Sequence, residues 1–331
     1  MDPQLLNTFN SIVANATPLV IAALGETITE RAGVINLSLD GSIALSAMVG
    51  FVSALAVANS GANPAVALAV GVGLAMLVGA LVALLIAFGA IHLRQDQVAI
   101  GFVLTLLAAD LAQFLGQDYT RIPGPVFPSL NLPFLADVPI VGRIFFQQDL
   151  IVYLSYVLIF MTWFWLFRTQ GGLAHRAIGE RPASAHARGV DVNRMRYVYT
   201  ALGGALVGLA GAAYSLNIKS GWATPPAMRG DGWIALAIVI FGGWHPFRVV
   251  LGAYLFAALR AFSSAAQRSD WQIPLVLLNA IPWIAMVLTL LFVSSGALER
   301  LMKILPQGVQ KRARAFLRSD PPQALGTRFE P

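Results

Sequence analysis

Apolar residues run along this chain in blocks too long for a soluble core. Residues 41–93 contain no Asp, Glu, Lys or Arg across 53 positions. A hydrocarbon layer about 30 Å thick takes roughly 20 apolar residues per helix, so this block predicts two spans joined by the small-residue turn Ala58-Asn59-Ser60-Gly61-Ala62-Asn63-Pro64. The whole pattern predicts segments at 12–25, 34–58, 64–91, 97–116, 150–167, 197–216, 232–243, 249–266 and 273–293. The expected fold is all-α and integral to the membrane, a polytopic helical bundle of about 8–10 membrane segments, some discontinuous or re-entrant. The segment 232–243 is short and ends abruptly at Gly242-Gly243-Trp244-His245-Pro246, as expected of a half-helix that faces protein rather than lipid.

Composition agrees, with 57% hydrophobic residues, 11% charged residues and a mean hydropathy of +0.70. Residues 1–296 are expected to form one membrane-embedded helical bundle and 297–331 a basic tail. The chain has no cysteine, which excludes disulfides, thiolate metal sites and cysteine nucleophiles. Met1-Asp2-Pro3-Gln4 lacks the basic start of a cleavable signal peptide, so the first span is expected to stay.

The net charge of +6 and pI near 10 would suit a nucleic-acid partner, but the placement of the charge argues for topology instead. Residues 168–196 and the chain after 296 together hold 13 of the 22 Lys and Arg. Basic residues collect in cytoplasmic loops, which predicts both regions in the cytoplasm with an even number of crossings between them. Counting back puts 117–149 outside, where Pro123, Pro125, Pro128, Pro133 and Pro139 rule out a continuous helix. The N-terminus would also lie outside, unless the polar stretch 25–42 folds back within the membrane. The tail 306–331 reads as a topology signal, a disordered appendage, or a segment resting on anionic lipid at about 1 kcal/mol per basic residue. No internal repeat emerges.

Polar residues inside the apolar frame are the candidates for function, because a charge at the bilayer centre costs about 2.5–3.5 kcal/mol and is usually paired and turned inward. Glu26 and Glu30 are four apart, as are Asn36 and Asp40, and each pair would share a face of a helix. The plainer alternative for 26–31 is a short cytoplasmic loop with a Glu30–Arg31 surface pair. Asp110 and Gln113 share a face within 97–116, where interhelical hydrogen bonding is the simpler role. Asn279 stands near Pro282 in the last span and could equally serve helix packing. The candidate substrate pathway is therefore Glu26, Glu30, Asn36, Asp40, Asp110, Gln113 and Asn279.

Several chemistries are missing. The only lysines are 219, 303 and 311, none after a glycine, so no phosphate-binding loop can form. His92, His175, His186 and His245 have no metal-ligand spacing, so no metal is expected, and there is no nucleophile elbow. An enzyme is not expected, and a membrane-embedded enzyme stays only as an alternative that no catalytic constellation supports.

The basic loop has its own pattern. From Gly171 to Asn193 small residues alternate with charges, Glu180-Arg181-Pro182 reads as a helix start and Gly189 as a stop. The expectation is a short amphipathic helix along the membrane that offers an Ala-rich face to another protein.

This loop resembles the coupling loop of bacterial ABC importer permeases of the branched-chain amino acid, simple sugar and nucleoside superfamily. The match runs through Gly172, Leu173, Arg176, Ala177, Ile178, Gly179, Glu180, Pro182, Ala185, Gly189, Val190 and Val192, with Ser184 and His186 as mild departures. The stretch Ile28 to Gly41 resembles the Glu-Arg-x-Gly-x-x-Asn-x-x-x-Glu-Gly block of the nucleoside and sugar branch, with Asp40 in place of Glu, and Gly232 to Gly242 resembles its Gly-Phe-Ile-Ala-Leu-Ala block. The resemblance implies a multi-pass subunit of the bacterial inner membrane with a cytoplasmic C-terminus. It implies a second, paralogous permease, an extracytoplasmic solute-binding protein and ATPase subunits that use the ATP, leaving this chain without a cofactor. Gly172, Arg176, Ala177, Ile178, Gly179, Glu180, Pro182, Ala185 and Gly189 would couple to the ATPases. The implied solute is a nucleoside first, a simple sugar second and a branched-chain amino acid third. An ion-coupled secondary transporter, with Asp40, Asp110 or Glu26 carrying a proton, is the alternative of another class.

Overall fold

The computed structural model describes residues 3–224, 226, 228–267, 274–294 and 320–330. The chain is a helical bundle. In order it forms α1 (Pro3–Arg31), α2 (Leu39–Asn59), α3 (Pro64–Ile91), α4 (Gln97–Gly116), α5 (Val141–Phe145), α6 (Leu150–Arg168), α7 (Gln170–Glu180), α8 (Pro182–Ala187), α9 (Val192–Ala213), α10 (Asp231–Gly242), α11 (Pro246–Gln267) and α12 (Leu275–Ser294). Among the described residues seven helices are long and apolar enough to cross a membrane, and α10 and α12 hold the two shorter apolar stretches. The only strands there are Ser129–Asn131 (β1) and Gln147–Asp149 (β2), which pair antiparallel in the proline-rich segment 117–149.

Helix boundaries follow local chemistry. Asn63 accepts the Ala65 N–H at 2.9 Å before Pro64, Asp96 accepts the Ala99 N–H at 2.8 Å, Thr169 accepts the Gly172 N–H at 3.0 Å and Asp191 accepts the Arg194 N–H at 3.0 Å. Each satisfies a donor that the first helical turn leaves open.

The bundle is built around α9, which touches α1, α2 and α3. A Cβ on Gly203 would strike the Gly25 carbonyl of α1, one on Gly204 the Gly79 carbonyl of α3, one on Gly208 the Ala75 carbonyl of α3, and one on Gly211 the Ile43 carbonyl of α2. Lipid gives helices no hydrophobic reason to associate, so close backbone approach through small residues supplies the contact.

The two faces of the molecule sort the loops. On one, Asn10 of α1 donates to the carbonyls of Arg143 at 2.7 Å and Gln147 at 3.0 Å, so the start of α1 lies beside 117–149. On the other lie the hairpin α7–α8 and the segment 320–330, where the Ala324 N–H donates to the Gly179 carbonyl at 2.8 Å. Between α9 and α11 the chain traverses this thickness in two pieces. It leaves the first face at Trp222, whose carbonyl accepts the Arg121 N–H at 3.0 Å, and from Gly230 continues as α10 to Trp244, whose carbonyl accepts from Arg31 at 2.7 Å. At 12 residues α10 is about 18 Å long. It is buried on most sides, as a half-helix among protein must be.

Three expectations change. The first span does not stop near 25 but runs on through Arg31, because Gly25 is a packing contact with α9 rather than a break. Residues 32–38 then climb back beside α4, with the Ile35 N–H donating to Gln97 at 2.8 Å and the Gly41 N–H to Thr105 at 2.9 Å, so α1 completes its crossing and the next segment starts inside the bundle. The basic loop forms two helices, α7 starting as early as Gln170 and α8 starting at Pro182. In the tail, 320–330 is docked against the hairpin face, while 295–319, with the basic cluster 311–318, lie outside the described residues.

The hairpin is seated by His175, fully buried between Trp165 and Tyr199 with ring centroids 5.1 and 4.1 Å away. Its Nε2 donates to the Ile28 carbonyl at 2.9 Å and its Nδ1 has no partner, which fixes the neutral form. Burial pushes the imidazole from 6.5 down to about 3, the Ile28 contact opposing this and Arg31 and Arg176 adding to it.

Two predictions follow from this packing. Gly204→Val should lower the thermal midpoint of the detergent-purified protein, by the equivalent of roughly 1–3 kcal/mol for overpacking, while Gly73→Ala, where a Cβ meets nothing within 4 Å, should leave it unchanged or higher. Equal midpoints for the two would remove the glycine seam as the organising contact. A neutral buried histidine contributes stability that is complete above the unfolded value of 6.5 and is lost as pH falls from there toward 3. Acidification from pH 7.5 to 5 should therefore destabilise the native chain more than His175→Gln, by about 1.4 kcal/mol per pH unit below the unfolded value. Parallel melting curves would show that the ring is not what titrates.

Candidate functional site

The polar residues of the 24–41 stretch serve three different purposes. Glu26 and Glu30 lie one turn apart in α1, and both are buried. Glu30 accepts the indole N–H of Trp244, and Arg31 donates to the carbonyl of the same residue while its guanidinium lies 5.5 Å from the Phe167 ring. The Glu30–Arg31 surface pair is thus replaced by two separate contacts that grip the left-handed residue Trp244 (φ 51°) and fix the end of α10. Asn36 sits in the loop before α2, not on one helix face with Asp40. Its Oδ1 accepts the Ser38 N–H at 3.0 Å and the Ser38 hydroxyl at 2.7 Å, and its own N–H donates to Glu26 at 3.3 Å. Asp40 is in the first turn of α2, and its Oδ1 accepts the N–H groups of Gly230 at 2.7 Å and Gly232 at 3.1 Å. A carboxylate at the N-terminus of α10 meets the positive end of that helix.

Three predicted pathway residues come together. Asp40, Asp110 and Gln113 line one cleft of about 240 Å³ between α2, α4 and α10, with Phe102, Thr105, Trp233 and the cation of Arg229. The Phe102 and Trp233 rings stand 6.4 Å apart at 48°. Asp110 is exposed on a helix whose neighbouring exposed residues are Leu106, Leu107 and Leu111. Lipid cannot surround a carboxylate cheaply, so this side of α4 faces water or another protein chain. Glu26, Glu30 and Asn36 do not line the cleft, and the Asn279 side chain lies outside the described residues.

A second polar group escaped the sequence reading. Asp231, 2% exposed at the start of α10, takes both guanidinium nitrogens of Arg260 from α11, one at 2.9 Å, and the hydroxyl of Tyr214. Planar guanidinium and carboxylate meet in two parallel bonds here, which makes the pair directional as well as charged. It borders a cavity of about 840 Å³ that Asn7, Ser11 and Asn15 of α1 also line. Tyr214 opens a π-helical turn, Tyr214–Ile218, at the end of α9, a distortion often found at functional sites. The signal was present in sequence: Arg260 is the only charge between Val249 and Ala266, and a lone intramembrane charge needs a partner of opposite sign.

The hairpin divides the predicted coupling residues by side. Gly172, Ile178, Gly179 and Ala185 are buried against the bundle, and a Cβ on Gly179 would strike the Arg31 carbonyl of α1. Arg176, Ala177 and Pro182 are half-buried, with the Arg176 guanidinium 5.0 Å from the Phe167 ring. Glu180 and Gly189 are exposed, and the outer surface continues through Leu173, Arg181, Ala183, Ser184, Ala187 and Arg188. The small residues thus let the hairpin approach its own bundle, and the side free for a partner is mostly their neighbours.

Comparison with known proteins adds a family. A family model described as "Branched-chain amino acid transport system / permease component" matches residues 8–294. The chain is 38% identical to the "Putative glucose ABC transporter permease protein TsgC13" of Haloferax volcanii over 78% of this chain and 77% of that one. It is 32% identical to the nucleoside ABC transporter permease protein NupC of Lactococcus lactis subsp. cremoris over 87% and 93% of the two chains. It is 36% identical to the guanosine ABC transporter permease protein NupQ of Bacillus subtilis over 73% and 76%. No solved structure matches the chain significantly. A match across nearly all of the membrane helices, with relatives above 30% identity over most of both chains, means that this chain belongs to the permease-component family of branched-chain amino acid transport systems.

Proposed function

We propose that this chain is a translocation subunit of an ATP-driven importer and that its solute is a nucleoside. The single observation that carries the choice is the cleft beside α4. It combines two aromatic rings, Phe102 and Trp233, with the carboxylates of Asp40 and Asp110 and the amide of Gln113. Aromatic faces stack on a base for about 1–3 kcal/mol, and the carboxylates and the amide, with the guanidinium of Arg229 in the same lining, complement its polar edge, whereas the side chain of a branched-chain amino acid would ask for a pocket free of carboxylates. The names of NupC and NupQ point the same way. A simple sugar is the second reading, favoured by the name of the Haloferax volcanii relative.

In this reading the face that carries α7–α8 is cytoplasmic, in keeping with its arginines, and 117–149 meets an extracytoplasmic binding protein. A second permease faces the polar side of α4, so that the cleft is completed between two subunits. ATPase subunits dock on the outer surface of the hairpin, and their closure moves α1, α9 and α10 through the buried contacts of Gly179, His175 and Trp244. This chain hydrolyses nothing itself. Its residues hold the polar path in a water-poor setting and convert a push into a change of access.

The test is uptake by cells whose other routes for these solutes have been removed, with labelled guanosine, ribose, glucose and leucine. Guanosine should enter only when this chain is present, should persist with a protonophore at maintained ATP, and should stop on ATP depletion. Asp110→Leu should keep the membrane level and lower guanosine uptake roughly tenfold, a loss of about 1.4 kcal/mol. Sugar uptake without guanosine uptake would transfer the assignment to the second reading, and uptake that follows the proton gradient would end the importer proposal. For the hairpin, Ser184→Trp adds bulk on an exposed position, so it should insert normally yet abolish solute-stimulated ATP hydrolysis in liposomes. Undiminished stimulation would mean that ATPases do not dock there.

A further inference from the structure

We propose that residues 320–330 are a permanent strap that sets the position of the hairpin against the bundle, so that force on α7–α8 reaches α1 and α9 instead of being lost in movement of the hairpin alone. The proposal rests on the reading of the hairpin as the ATPase contact. Within a few residues the segment ties four parts of the fold together. The Ala324 N–H donates to the Gly179 carbonyl at 2.8 Å, at the end of α7, and the Gly326 N–H donates to the Gly33 carbonyl at 3.0 Å, just past α1. Phe329 packs into the small cluster of Ile28, Ile178, Ala185, Val192 and Tyr199, with its ring 5.5 Å from His186 of α8. Glu330 pairs with Arg94, between α3 and α4, at 3.0 Å.

The anchor of the strap is Arg196, near the start of α9. It is 2% exposed, and no carboxylate pairs with it among the described residues. Its Nε donates to the Ala32 carbonyl at 3.2 Å and its Nη1 to the Thr327 carbonyl at 2.9 Å, while Nη2 has no partner. A buried guanidinium held by carbonyl dipoles alone is poorly compensated, and one of its two acceptors belongs to the strap. The same cation therefore bolts the strap to both the end of α1 and the base of α9. Within the hairpin α7 is seated by His175, Ile178 and Gly179, but α8 has few such ties: it joins α7 through the single residue Arg181 and buries only Ala185. Without 320–330, α8 would be held to the bundle mainly by that side chain and by Val190. Nothing in the strap enters either cavity, so its effect on transport is one of position.

The test uses the full complex with its ATPases in liposomes and reads solute transported per ATP hydrolysed. A chain ending at Ser319 should retain ATPase association and basal hydrolysis while the ratio falls at least fivefold. Gly326→Val guards against a folding defect in the truncation. Gly326 has φ +72°, and a Cβ there would press on Ile35, so this substitution should loosen the strap, lower the ratio at least twofold and leave the thermal midpoint unchanged. Because the native chain has no cysteine, Arg94→Cys with Glu330→Cys, at the exposed pair that ties the strap to the α3–α4 connection, can be joined by a thiol cross-linker, and the locked complex should transport within twofold of the unlocked one. An unchanged ratio in both release variants would overturn the proposal, as would loss of transport on locking that a reductant-cleavable linker restores, since that would make the segment a latch that must open. If the unmodified chain fails to bind or stimulate ATPases at all, it is the importer reading that has failed.

Discussion

Backbone-to-backbone contact along α9 is the constraint on which this fold depends. In water a helix gains by hiding its apolar face, but between lipid tails and other apolar side chains there is little to gain from hiding. What holds these helices is the near approach of peptide groups, and Gly203, Gly204, Gly208 and Gly211 permit it against α1, α3 and α2 in turn. One helix thereby fixes three others. Its second turn carries Arg196 at the hairpin face, and its far end unwinds into the π-turn that presents Tyr214 to Asp231, so the seam connects the two regions where polar chemistry gathers.

With the helices so placed, each buried charge is answered differently. Asp231 meets Arg260, Asp40 meets the open amides of α10, Glu30 meets an indole, and Arg196 meets main-chain carbonyls. These choices tie irregular backbone to regular helices. The unwound stretch before α10 would leave peptide groups unsatisfied in hydrocarbon, and Asp40 is what receives two of them. These buried polar residues therefore brace the bundle, and Asp110, exposed on α4, stands clear of the bracing.

Much of this was legible in the sequence. The long spans followed from uncharged runs, and the half-helix at 232–243 from its length and its glycine–proline stop. Asp40, Asp110 and Gln113 were marked because charges and amides are costly among apolar neighbours, and they share a cleft. Periodicity misled where the chain was not helical: Asn36 and Asp40 are four apart but separated by the start of α2. The role of Gly179 could not be read because a small residue signals close approach without naming the neighbour, which proved to be α1 of the same chain. Arg260 and Asp231 were readable one at a time as lone charges, but their pairing is a long-range fact. The tail offered composition only, and its docking depends on Arg196 and Gly33, more than a hundred residues away in sequence.

Interlocked side chains resist long slides because each knob must climb out of its hole, so packed helices shear past one another by only about 1–2 Å. The α9 seams have few and short teeth, such as Thr29 at Gly203 and Ala83 at Gly204, and otherwise backbone meets backbone. Where backbone presses on backbone, dispersion contact keeps nearly the same area as one surface slips along the other, so a small axial shear of α9 past α1 and α3 costs less there than between interlocked side chains. Such a glide would carry the two ends of α9 together, and the same smoothness that lets the bundle close tightly would let it change state without first coming apart.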